Sequence, residues 1–276
     1  MGSAGMRSAK SGVRASLKSR AFYILPHDFR RRVYARVRPG EFKSLQESRT
    51  SRSESGFSLR PLDEYRCIFV HIPKTAGISV SRSLFGNNGP GHETLRRFQI
   101  VFSEREYDTY FKFAFVRNPW DRVYSAYNFL RKGGWHEADR DWAQAHLSRY
   151  SDFNEFVSSG LGRTEVYNWL HFKPQLSFLW TPGKRQFELD FLGYFENLEE
   201  DYGRIAARLG ARAETGLRKD NIGKRDGKVG YREAYTEKSR RLVADLFACD
   251  INAFGYDFES STLERQLERR RAAEAG

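Results

Sequence analysis

The sequence predicts an α/β domain with a mainly parallel central sheet flanked by helices. Three short apolar runs, Cys67 to Val70, Phe113 to Val116 and Phe191 to Phe195, read as strands, the first with the continuous character of a buried parallel strand. Each is followed by a segment of helical spacing, and strands alternating with helices build a parallel sheet. No internal repeat or low-complexity tract interrupts the alternation.

The chain has 276 residues with 39% hydrophobic content, enough for one sizeable core. No run of eighteen apolar residues exists, which excludes a membrane-spanning helix, and the basic N-terminus lacks the apolar stretch of a secretory signal. Cys67 and Cys249 give neither a disulfide framework nor metal-ligand spacing. The net charge of +12 is concentrated. Residues 1–60 hold 3 Lys and 11 Arg against 1 Asp and 3 Glu, a net of +10 that leaves +2 for the rest. This arm is either a solvated extension or a contact for an anionic surface, and salt would weaken any such contact.

Within the arm, residues 1–20 are too polar to fold alone. After Pro26, Phe29, Val33 and Val37 recur every fourth residue among Arg30, Arg31, Arg32 and Arg36, which predicts a short basic amphipathic helix that docks on the main domain or on a membrane surface. Ser48 to Ser58 reads as a linker. In the folded part, the strand at Cys67 is broken by Pro73 and Gly77, and helical spacing runs from Ser79 to Phe85. After the second strand, Asn118 is a good N-cap and Pro119 suits the first helical position. Gly133 and Gly134 end that helix behind Arg131 and Lys132. The third strand leads to a helix with Leu198, Tyr202, Ile205 and Leu209 on one face. Thr236 caps a later helix reaching about Phe247, with Leu242, Val243, Leu246 and Phe247 inward. Residues 61–258 thus form the predicted domain, and 259–276 a charged helical tail.

Ligands of such folds bind beyond the carboxyl ends of the strands, beside helix N-termini. In the first loop there, Lys74, Thr75, Gly77 and Ser79 surround a helix start, a combination of ammonium, hydroxyls and free N–H groups suited to phosphate or sulfate. An ordinary strand-to-helix turn with a solvent-facing lysine fits this loop equally well. The G-x-x-x-x-G-K-[ST] pattern is absent, which argues against a P-loop kinase or GTPase. The second loop places Arg117, whose planar fork suits a phosphate, at a strand end, with Ser125 on the flank of the next helix. Asp121 and Arg122 read as a helix-dipole partner and a surface charge.

Together, His71-Ile-Pro-Lys-Thr-Ala-Gly-Ile-Ser79 and Phe115-Val-Arg-Asn-Pro-Trp-Asp-Arg-Val-Tyr-Ser-Ala-Tyr127 resemble the paired signature of the carbohydrate sulfotransferases that use 3′-phosphoadenosine 5′-phosphosulfate (PAPS). The resemblance extends through Phe191–Leu198 to Asp250–Phe258, roughly residues 65–258. It implies a P-loop-NTPase-like three-layer sandwich, PAPS as donor, PAP as product and no metal. Residue by residue, it implies that Lys74 contacts the phosphosulfate bridge. Thr75, Gly77 and Ser79 would contact the 5′-phosphate, with Ala76 and Ile78 contributing backbone N–H groups. Arg117 and Ser125 would hold the 3′-phosphate. Many relatives have Thr where this chain has Ile78, so one phosphate contact is missing and weaker donor binding is expected. Asn221 to Gly227 resembles the family's cover over the nucleotide and makes Arg225 a donor contact, although Lys219 stands where relatives have His.

Sulfuryl transfer needs deprotonation of the acceptor hydroxyl, a stabilised leaving phosphate and in-line geometry. Lys74 suits the leaving oxygen. His92, in Gly-Pro-Gly-His-Glu-Thr between the two motifs, is the candidate general base, with Glu93 as rival and a turn histidine without a chemical role as the remaining reading. His71 reads as structural, and His27, His136, His146 and His171 lie in segments without a comparable motif. Gln175, Trp135, Trp142, Trp169 and Trp180 fall in an insert, Lys132–Arg185, whose aromatics either pack or stack on sugar rings.

The expected function is a sulfotransferase acting on a glycan or glycolipid. Animal relatives carry an N-terminal span, so this chain is expected to be a soluble, cytoplasmic enzyme of bacterial type, with a peripheral membrane contact through its arm. A nucleic-acid- or polyanion-binding protein working through the arm is the alternative, although no recognition motif is present and no nucleic acid is expected. A nucleotide-binding relative without catalysis is the third reading.

Overall fold

A computed structural model describes residues 22–23, 25–51, 56–181, 187–210, 216–218 and 230–275. Arg225 and the loop around it lie outside the described residues, as do residues 1–20. Helices α1 (His27–Val37) and α2 (Pro39–Thr50) precede strand β1 (Cys67–Val70), and α3 (Gly77–Phe85) and α4 (Leu95–Val101) lead to β2 (Phe111–Val116). Helices α5 (Pro119–Arg131) and α6 (Glu137–His146) lie between β2 and β3 (Phe191–Tyr194). Helices α7 (Leu198–Leu209), α8 (Glu237–Leu246), α9 (Ala248–Phe254) and α10 (Ser261–Ala275) follow.

The described strands form a parallel sheet in the order β1-β2-β3, flanked by helices. Phe69 pairs with Phe113, and Phe115 with Gly193. A Cβ at Gly193 would lie 2.6 Å from the Phe115 ring, so the third strand needs glycine there for the rings of β2 to pack. All four residues of β1 are buried, as their uninterrupted apolar character predicts. Phe195 begins a 3₁₀ turn rather than ending the strand. Asn118 caps α5 by accepting from the Trp120 N–H, while its amide donates to the Asp257 carbonyl and Ser260 Oγ. One cluster of buried apolar side chains surrounds the sheet, and α5 presents Trp120, Val123, Tyr127 and Leu130 to a second one. The sheet cluster includes Leu263 and Leu267 of α10, which therefore docks on the domain.

The arm differs from its sequence reading. Helix α1 forms, but it docks through His27, whose Nε2 meets the Phe102 carbonyl, and through Arg30, which donates to Gln99. Phe29 and Val37 remain 51% and 68% exposed. Ser48, Arg49 and Thr50, read as linker, are the last turn of α2. The reason is tertiary: Arg49 bridges Asp63 and Glu106, each at 2.6 Å, and no local periodicity announces such a pair of contacts. No helix among the described residues is long and apolar enough to cross a membrane.

Candidate active site

The site is built where β1 and β2 end. Beyond β1, Lys74 and Ala76 both adopt left-handed backbone, with φ of 71° and 65°. Such conformations cost non-glycine residues about 1–3 kcal/mol each, and their alternation along a loop makes a concavity of N–H groups that suits an anion. Helix α3 opens directly from this loop and no side chain caps its start, an arrangement suited to an anion at a helix N-terminus. Gly77 is required by packing: a Cβ would lie 1.9 Å from His71 Cδ2. The buried His71 ring stacks on Phe69 and supports the loop from beneath, in keeping with its structural reading.

Among the predicted donor contacts, Thr75 is fully buried and its hydroxyl donates to the Ile72 carbonyl at 2.9 Å. Ser79 is buried, and Ile78 is half-buried on the first turn of α3. Ser125 is half-buried on α5. The Lys74 ammonium rests 3.9 Å from the centroid of the Phe129 ring. Burial, with Arg117 and Arg122 nearby, pushes its pKa down to about 7 against the opposing pull of Asp139.

Arg117 joins the two loops, donating from Nη1 to the Lys74 carbonyl at 3.1 Å. Its Nε and Nη2 hold Asp121 at 2.9 Å, and its guanidinium lies over Phe195. The backbone of Arg117 is clamped by a residue whose role the sequence does not reveal. Gln175, fully buried, accepts from the Arg117 N–H and donates to the Arg117 carbonyl, both at 2.9 Å. Asp250 in turn accepts from the N–H groups of Gln175 and Leu176.

Arg122 is not the surface charge its sequence context suggests. It is 1% exposed, donates from Nε to the Pro73 carbonyl at 3.0 Å, and leaves Nη2 buried without a partner. Burial lowers its pKa to about 10, with Asp250 opposing and Arg117 adding to the effect. An unpaired buried guanidinium nitrogen, an uncapped helix start and a destabilised ammonium on adjoining elements together fit a multiply charged anion.

His92 stands against the same loop. Its Nδ1–H donates to the His71 carbonyl at 2.9 Å, which leaves the lone pair on Nε2, and the two rings are 4.3 Å apart. Burial, with His171, Arg122 and Lys74 adding to it and the bond to the His71 carbonyl opposing it, pushes its pKa down to about 4, so the ring is neutral at physiological pH. Glu93 faces Arg97 at 3.9 Å, and burial raises its pKa. A second imidazole, unmarked by any motif, lies beside His92: the His171 ring is 6.4 Å away and bonded through Nε2 to Asp139 at 3.1 Å. Nothing local signals it, because the fold brings together residues from the insert. Among the described residues, no cluster of side chains could hold a metal ion.

The fold and these loops define an α/β protein with the cationic side chains of Lys74, Arg117 and Arg122 gathered at the strand ends. The model of the sulfotransferase family matches residues 62–257, and the chain belongs to that family. Sulfuryl transfer is thus its class of chemistry. The chain is also similar to an uncharacterized protein of Archaeoglobus fulgidus, 34% identical over 114 residues that cover 41% of this chain and 78% of the relative. No solved structure matches it significantly.

Proposed function

We propose that the chain transfers a sulfuryl group from PAPS to a hydroxyl of a carbohydrate or glycolipid. The observation that carries this reading is the hydrogen bond from Arg117 to the Lys74 carbonyl, which makes the two anion-receiving loops one site. A donor with phosphate at both ends of its ribose needs two such loops at a fixed separation.

In this reading Lys74 leaves the Phe129 face and stabilises charge on the leaving phosphate oxygen. The N–H groups of Ala76, Gly77 and Ile78 and the start of α3 hold the 5′-phosphate, while Arg117 and Ser125 hold the 3′-phosphate. Arg117 shares its fork between that phosphate and Asp121. Arg122 braces the loop through Pro73. His92, neutral and with Nε2 as the basic nitrogen, takes the proton of the acceptor hydroxyl as its oxygen attacks sulfur. His92 is preferred to Glu93 because its Nδ1–H bond fixes it against the donor loop, whereas Glu93 faces Arg97.

The test is transfer of labelled sulfuryl from PAPS to a panel of chemically desulfated glycosaminoglycans and glycolipids. Label on an acceptor, lost in Lys74→Ala and His92→Ala, supports the reading. A folded protein that binds PAPS but labels neither acceptor class refutes the carbohydrate assignment.

A further inference from the structure

We infer that Asp139 and His171 form a positioning pair behind the transfer site, whose carboxylate balances the charge that His92 acquires on taking the acceptor's proton. The inference rests on the sulfotransferase reading above. Asp139 is fixed by three donors: Oδ2 accepts the backbone N–H groups of Trp135 and His136 at 3.0 and 3.3 Å, and Oδ1 accepts from His171 Nε2 at 3.1 Å. Gly134, with φ of 64°, makes the close approach possible, since a Cβ there would lie 2.2 Å from Asp139 Cβ. An ionised carboxylate only accepts, so the His171 proton sits on Nε2 and the lone pair on Nδ1.

His171 is 6% exposed, and its Nδ1 is buried without a partner. Capping the start of α6 needs Asp139 alone. An apolar ring would fill the place of His171 against Phe129, 5.1 Å away, without burying an unpaired nitrogen. The Phe129 ring also carries the Lys74 ammonium, and the other edge of the cluster is His92. The imidazole therefore stands between a fixed carboxylate and the groups of the transfer site.

The charge balance of that site requires a carboxylate. A protonated His171, Arg122 and Lys74 all oppose a positive charge on His92; burial lowers the pKa of His171 and keeps that ring neutral, as it does the buried His71. Asp121 is bonded to Arg117, Asp250 to the backbone at Gln175 and Leu176 opposite Arg122, and Glu93 faces Arg97. Among these carboxylates, Asp139 is the one whose imidazole partner, His171, lies edge to face with the His92 ring. In the transfer, the acceptor oxygen forms the new bond to sulfur and its proton moves to His92 Nε2. The bond from sulfur to the bridging oxygen breaks, and its electron pair stays on the phosphate oxygen next to Lys74. His92 later releases the proton to water. Asp139 remains ionised and His171 keeps its proton throughout.

The test combines long-range ¹⁵N–¹H NMR of the full chain labelled on histidine with the pH profile of PAPS turnover to PAP. Turnover is measured with desulfated heparin and with water as acceptors, for wild type, His171→Gln and Asp139→Asn, alongside calorimetry of PAP. The wild type should show His171 protonated on Nε2 and His92 on Nδ1. Turnover should fall about tenfold or more in both variants, and the acidic limb should move to lower pH in Asp139→Asn. His171→Gln should bind PAP within about twofold of wild type. A His171 proton on Nδ1, readable in the wild type even where a variant fails to fold, overturns the inference. So does wild-type turnover with an unmoved acidic limb in a folded His171→Gln that binds PAP. Failure of the wild type itself to bind PAP overturns the sulfotransferase reading and this inference with it.

Discussion

Lys74 should take up a proton when the donor product PAP binds. In the free protein burial and its cationic neighbours hold its pKa down to about 7, against an ordinary 10.5. A phosphate at the loop favours the charged ammonium and returns the pKa toward its ordinary value. At pH 8 roughly one-tenth of the free Lys74 is protonated, so binding takes up about 0.9 proton; at pH 6 it takes up about 0.1. Above pH 7 the Lys74-dependent part of the affinity should weaken about tenfold, ~1.4 kcal/mol, per pH unit. The assay is calorimetry of PAP in buffers of different ionisation enthalpy at both pH values, with Lys74→Arg as control. Arginine stays charged, so this variant isolates Lys74 from titration of the 5′-phosphate. Equal proton uptake by wild type and Lys74→Arg at pH 8 would refute the reasoning.

Gly77→Ala should lower the melting temperature by several degrees, because its methyl meets the His71 ring at 1.9 Å and overpacking of this kind costs about 1–3 kcal/mol; an unchanged melt would contradict it. Gln175→Ala leaves both backbone groups of Arg117 without their partner, so denaturant titration should show a loss of about 1–3 kcal/mol and calorimetry a weaker PAP complex. Burial raises the Glu106 carboxyl, but Arg49 and Ser103 outweigh it and hold the pKa near 2, below the ordinary 4.5. The stabilisation it gives is therefore complete above pH 4.5 and lost as pH falls toward 2. Melting curves over that window should be flatter for Arg49→Met than for wild type.

The parts of this protein that sequence reveals are those dictated by contiguous residues. A strand buried on both faces has no polar position to hide, so β1 and the Phe113–Val116 part of β2 are visible as apolar runs, and the half-buried β3 is visible because it too carries no charged residue. Asn118-Pro119 announces a helix because capping is a matter of one turn, and the structure shows that cap. Arg122 is misread because, at the level of sequence, an arginine on a helix beside an aspartate is a surface charge; only the fold brings the Pro73 carbonyl against it. Gln175 and His171 are silent for the same reason, meeting Arg117 and Asp139 across 58 and 32 residues. The amphipathic spacing in α1 identifies the helix and misassigns its docking face, since His27 and Arg30 find polar partners on the domain that Phe29 and Val37 lack.

The most direct test of the donor site is calorimetric binding of PAP, ADP and ATP to wild type and Arg117→Ala. PAP differs from ADP in placing one phosphate on the 3′-oxygen, which is what the Arg117 loop is assigned to recognise. Wild type should bind PAP at least about tenfold more tightly than ADP or ATP, since a bidentate charged contact is worth roughly 1.5–3 kcal/mol, and Arg117→Ala should erase the preference. Equal affinity for PAP and ADP in the wild type, or a preference that survives Arg117→Ala, would contradict the assignment.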